Sequence, residues 1–176
     1  MEIEKILNDN SIKRIEKRNS IISSIFEGKI NFKEIDNAIK DLSVKDISIV
    51  LEAIEDISRN KNFVMEEEYL HLAEKFILSN DNSCKREASR IIGNLVEKFP
   101  NVLNETIEAI LINTKDCGTV IRWASAYALA KIIIIPQYSK SSLFQQVKRI
   151  CEDETENGVK NQYIKALKKA EKIRNS

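Results

Sequence analysis

The sequence is poor in the residues that break or staple a chain: its 176 residues include 4 glycines, 2 prolines and 3 cysteines. So little Gly and Pro excludes a turn-rich sandwich, and Gly28, Gly93, Gly118 and Gly158 each stand alone, so no glycine loop can cradle a phosphate. Cys84, Cys117 and Cys151 are widely spaced, odd in number and without a CxxC pair. They read as reduced thiols rather than a disulfide frame. One histidine, His71, is too few for a zinc cage with cysteines a repeat apart, so no metal and no cofactor is expected. Neither sign of charge is in excess: 28 basic against 27 acidic residues leave +1. That removes the strongest argument for a nucleic-acid or anionic-membrane binder. No apolar run is long enough to span a bilayer, and the opening MEIEKILNDN holds no signal-peptide core. The expectation is a soluble, cytoplasmic protein.

What the chain has is helical rhythm. Apolar residues recur at three- and four-residue steps over 2–8, 11–27, 31–41, 44–60, 66–79, 83–99, 102–114, 118–135, 140–152 and 158–173. Gly28 ends the second segment, Ser43 is a cap for the fourth, and Ser83 is a cap for 83–99 without the acid three residues later that would complete a reciprocal box. Isoleucine is abundant, but its helix cost is a few tenths of a kcal/mol, and a sustained 3.6 period outweighs it.

Taken in twos, the helices repeat. KREASRIIGNL (85–95), RWASAYALAKI (122–132) and KNQYIKALKKA (160–170) align at spacings of 37 and 38 residues, with Ile92, Leu129 and Leu167 at one matching place and Leu95, Ile132 and Ala170 at another. A near-constant period of this size is the signature of stacked helical hairpins. The pattern resembles the HEAT-repeat, armadillo-like family, in which an Asp precedes the second helix and that helix runs approximately Val-Arg-x-x-Ala-x-x-Ala-Leu-Gly-x-Leu. Asp116, Ile121, Arg122, Ala128, Leu129, Ala130 and Ile132 match best; Glu87, Ala88, Ile92, Gly93, Asn94 and Leu95 match in the unit before. In the last unit Glu154 and Lys160 keep the acid-to-base spacing, while Gln162 and Lys168 depart from the small-residue preference.

The resemblance implies an all-α fold, a short right-handed α-α superhelix of about four to five helix pairs. It implies one domain over 1–176, with divergent helices in 1–60 and clearer units at 66–99, 102–135 and 140–173. Ala124, Ala128, Ala130 and Gly93 are read as the small residues that let neighbouring helices approach, and Arg122 as a brace to an acid such as Asp116.

Catalysis is disfavoured. Cys84 is followed by Lys85 and Arg86, surroundings that lower a thiol pKa, but nothing in the sequence brings His71 beside it. The acidic runs 66–68 and 152–156 suit helix starts and solvated faces. No catalytic residue is assigned, and the chain is expected not to be an enzyme. One enzymatic alternative comes by resemblance: DNA alkylation-repair glycosylases are HEAT-like and hold DNA in a basic, aromatic concave groove. Trp123, Tyr127, Arg86 and Arg90 are ingredients, but the chain is shorter, nearly neutral, and lacks a recognisable Asp on the face of Trp123.

The repeat also selects a face. Arg86, Arg90 and Asn94 lie opposite the apolar stripe of their helix; the same register gives Trp123, Tyr127 and Lys131, then Asn161, Lys165 and Lys169. In a HEAT-like stack the second helices line the concave side. The leading expectation is a non-catalytic scaffold that binds a peptide or protein there, with aromatics as anchors and cations meeting a carboxylate-rich segment or phosphates. Nucleic-acid binding is the lesser alternative, and self-assembly into a homo-oligomer is a third. The all-round apolar character of 118–135 leaves open whether Trp123 and Tyr127 are surface or core.

Overall fold

The computed structural model describes all 176 residues, which form eleven helices and no strand. The chain divides into two compact units, Met1–Ala88 and Ser89–Ser176. The first holds α1 (Glu2–Asn8), α2 (Arg14–Phe26), α3 (Phe32–Ile39), α4 (Val44–Ser58) and α5 (Glu68–Glu74), and α6 (Asn82–Leu95) begins in it and ends in the second. The second continues with α7 (Asn104–Asn113), α8 (Thr119–Ile132), α9 (Pro136–Ser139), α10 (Leu143–Asp153) and α11 (Asn157–Asn175).

In the first unit α4 is the central element, with Ile47, Val50, Leu51, Ile54 and Ile57 buried at helical spacing. Each such side chain contributes about 1.5–3 kcal/mol on burial. Ser43 caps α4 as its position predicts, its hydroxyl accepting from the Asp46 N–H at 3.2 Å and donating to the Asp46 carboxylate at 2.6 Å. α2 packs on α4 and is tied to it by Arg14, on the Ser48 hydroxyl (3.1 Å) and Glu52 (3.0 Å), and by Arg18 on Asp56. Gly28 closes α2 at φ +70°, the left-handed conformation that costs a residue with a Cβ.

The cap of α6 differs from the sequence expectation. Asp81 accepts from the Cys84 N–H at 2.9 Å, so the capping residue is Asp81 and Ser83 lies inside the helix. A carboxylate suits that end better than a hydroxyl because it also meets the positive pole of the helix. Cys84 is buried, and burial first, then the neighbouring Asp81, pushes its thiol up to about 12. The basic neighbours that suggested an activated thiol are outweighed.

In the second unit α7 packs on α8 and α10 on α11, and α8 and α11 lie together as its main helix contact. The openings of α6, α8 and α11 at Asn82, Thr119 and Asn157 keep the spacing of 37 and 38 residues. The helix of the apolar run 118–135 ends at Ile132 rather than at Pro136, and Pro136 starts the short α9. A proline is well placed at a first helical position, where its missing N–H would have no partner.

Candidate functional site

The site is built on α8, and its first requirement is a helix that can come close to its neighbour. Ala124 and Ala128 are fully buried, and Ala130 is half-buried. Gly93 on α6 is the point of closest approach: a Cβ there would sit 2.7 and 2.8 Å from two ring carbons of Tyr127 and 3.2 Å from the Cα of Ala128. Gly93 is therefore small because the Tyr127 ring lies on it. The Tyr127 hydroxyl donates to the Asn94 Oδ1 at 2.5 Å, so the same side chain tethers the two helices.

Trp123 and Tyr127 are both half-buried, which falls between the surface and core readings left open by the sequence. Their planes are 10° apart with centroids at 5.7 Å, a stacked pair one helical turn apart. Lys131, a turn further on, places its Nζ 5.7 Å from the centre of the Tyr127 ring. A cation in the last turn of α8 is also favoured by the helix dipole.

Of the other residues in the predicted columns, Arg90 and Asn94 are half-buried on the second-unit end of α6. Asn161, Lys165 and Lys169 are exposed along α11. Arg86 belongs to the first unit, where its Nε donates to the buried Glu87 at 2.5 Å. Within the second unit the structure thus joins Asn94, Trp123, Tyr127 and Lys131 by direct contacts.

Arg122 braces the repeat to an acid as expected, but that acid is Glu154, and Asp116 is met through its backbone carbonyl rather than its carboxylate. The Arg122 Nη1 donates to the backbone carbonyls of Asp116 (3.0 Å) and Cys117 (3.3 Å), and its Nε and Nη2 reach the Glu154 carboxylate at 3.0 and 3.4 Å. The Asp116 carboxylate instead accepts from the Gly118 N–H at 2.8 Å, where it closes the turn before α8. The next repeat uses the same device: Lys160 donates to the carbonyl of Glu154 at 3.1 Å, while the Glu154 carboxylate accepts the N–H groups of Thr155 and Glu156 at 3.0 and 2.9 Å. The acid-to-base spacing of six residues is a local clasp in which the base holds the acid's carbonyl and the acid closes the turn. Burial pushes the Glu154 carboxyl up, and hydrogen bonds from Arg122 and the two N–H groups outweigh it, leaving it below its ordinary value.

The remaining candidates for chemistry are apart. His71 is exposed, with Nδ1 2.9 Å from Glu74. Cys117 is exposed, and Cys151 is buried with its thiol pushed up, chiefly by that burial. No group of three or more His, Cys, Asp or Glu is gathered to hold a metal ion. A cavity of about 730 Å³ lies elsewhere in the second unit, among Val102, Leu103, Ile107, Leu143 and Tyr138.

Comparison with protein-family profiles gives no match, and comparison with curated proteins gives none either. Among solved structures, the chain is similar to a chain of the complex of CpcE and CpcF of phycocyanin lyase from Nostoc sp. PCC7120, with a TM-score of 0.64 and 14% identity. The likeness covers 93% of this chain and 94% of that one. It confirms the all-α fold class, a helical repeat. It also corrects the expectation that the chain is not an enzyme. That expectation rests on a repeat array without a nucleophile–base pair, and a complex named as a lyase is built on such a fold, so the lack of a recognisable pair excludes nothing.

Proposed function

We propose that the chain is a HEAT-like helical scaffold that binds a protein partner through the second-helix face of its second unit, with Trp123 as the main anchor and Tyr127, Lys131, Asn94 and Arg90 around it. The observation that carries this reading is the half-exposed stack of Trp123 on Tyr127 with Lys131 over the ring. A rigid aromatic pair offers large contact area at little cost in side-chain entropy, a composition typical of interface hot spots. The solved neighbour is a complex of two protein chains, which agrees with a role in company. The exposed, unpaired thiol of Cys117 suits a reducing compartment such as the cytoplasm.

The test uses Trp123→Ala. Tyr127 is less suitable, because its removal also empties the space over Gly93 and the bond to Asn94. The variant is expected to keep its helical circular dichroism and to lose a partner that the parent chain retains from cell extract. Equal retention by both chains rejects this face.

A second reading, participation in modifying the bound protein, is favoured by the likeness to the phycocyanin lyase complex. Intact-mass spectrometry of phycocyanin incubated with the chain in cell extract tests it. An unchanged covalent mass counts against the activity and leaves binding to be judged by Trp123→Ala.

A further inference from the structure

Resting on the protein-binding reading, we infer that the partner presents an acidic segment, and that a lysine stripe along α11 holds it beside the Trp123–Tyr127 stack. α11 buries Val159, Tyr163, Ala166 and Ala170. Its other side carries Asn161, Lys165, Lys168, Lys169 and Lys172, all exposed. Steps of three and four residues put these on one face. The stripe has the register that Trp123, Tyr127 and Lys131 have on α8, and α8 packs against α11.

The four lysines stand without carboxylate partners. Some exposed lysines elsewhere are answered close by, Lys5 by Glu2, Lys29 by Glu27 and Lys40 by Asp36, and others such as Lys33 and Lys148 are not; α11 differs in gathering four unanswered lysines on one face. On α11 the other two cations are used inside the fold, Lys160 on backbone carbonyls and Arg174 on the Ser139 carbonyl and the Phe144 ring. Like charges at these spacings weaken a helix by a few tenths of a kcal/mol per pair. A bound anion would relieve that repulsion.

The shape of the charge favours an acidic peptide over a nucleic acid. From Lys165 to Lys172 the stripe is about 10 Å long at 1.5 Å per residue. Immediately before α11, Glu152, Asp153 and Glu156 are exposed. A phosphate backbone continuing along the helix would run into these acids. A short run of Asp or Glu ends before them, and an apolar side chain next to it reaches the aromatic stack.

Trp123 is the chain's single tryptophan, so its emission reports on this face directly. The full chain is titrated with a Glu-rich peptide bearing one Leu, with a Lys-rich counterpart, and with duplex DNA. The expected result is an emission shift with the acidic peptide alone, weakened as salt rises and weakened about tenfold or more in the Lys165→Glu, Lys169→Glu variant, whose circular dichroism is unchanged. No response to the acidic peptide, or a response to DNA in its place, overturns the inference. So does a partner captured from extract whose binding depends on Trp123 but is indifferent to the lysine reversals and to salt; that result leaves the scaffold reading standing. Indifference to both Trp123→Ala and the lysine reversals removes both.

Discussion

At the scale of single residues, Gly93 and Tyr127 define each other. A helical glycine normally costs about 1 kcal/mol relative to alanine, so Gly93→Ala would stabilise an open helix. Here the new methyl would lie 2.7 Å from the Tyr127 ring and 3.2 Å from the Ala128 backbone, and only the ring can move. Gly93→Ala is expected to destabilise the chain by about 1–3 kcal/mol, as overpacking does, and to break the Tyr127–Asn94 hydrogen bond. Chemical denaturation followed at Trp123 measures it, and an unchanged or raised midpoint is the contrary outcome. Ala128→Leu, at a fully buried position facing the same contact, is expected to cost about the same, and equal stability would deny the close approach. The sequence showed that small residues recur here. It did not show that the large residue beside them is the reason, because the ring comes from another helix.

At the scale of elements, the clasp around Glu154 connects the start of α8 to the turn between α10 and α11. Arg122 lies in the first turns of α8, where the dipole disfavours a cation; two carbonyls and the Glu154 carboxylate offset this. Since Glu154 ionises more readily in the folded chain than at its ordinary value of 4.5, its contribution is present in full above that value and is lost as pH falls through the lower folded value. Glu154→Gln is therefore expected to lower stability near neutral pH by on the order of 2 kcal/mol, the scale of hydrogen bonds to charged groups. It should also flatten the acid side of the stability profile. Parallel profiles for parent and variant between pH 3 and pH 7 would show that the carboxylate is not coupled to folding. The acid and base were legible as a recurring pair. Their true partners were not, since one bond runs to a backbone carbonyl and the other spans 32 residues.

At the scale of the whole molecule, the chain is two compact units in which each helix is buried mainly by its neighbours. Repeat stability is the sum of local and nearest-neighbour terms, so damage should stay local. Leu51→Ala, at a fully buried position on α4, is expected to cost about 2–5 kcal/mol and to speed amide exchange in residues 1–88 far more than in α10 and α11. A uniform rise across both units would mean a single cooperative block. No helix is long and apolar enough to cross a membrane. The sequence by itself determined the all-helical class, the pairs α7–α8 and α10–α11 and the period of the second helices, because hydrophobic spacing acts within a turn or two of chain. It also placed Trp123, Tyr127 and Lys131 in one register, since that follows from helix geometry alone. Tertiary structure decided the surroundings of the stack: the Tyr127 ring lies against Gly93, both rings stay half-buried, and α11 packs on α8 with unpaired lysines in the same register. Burial and charge pairing depend on which side chains arrive from other helices, and a one-dimensional period carries no record of them.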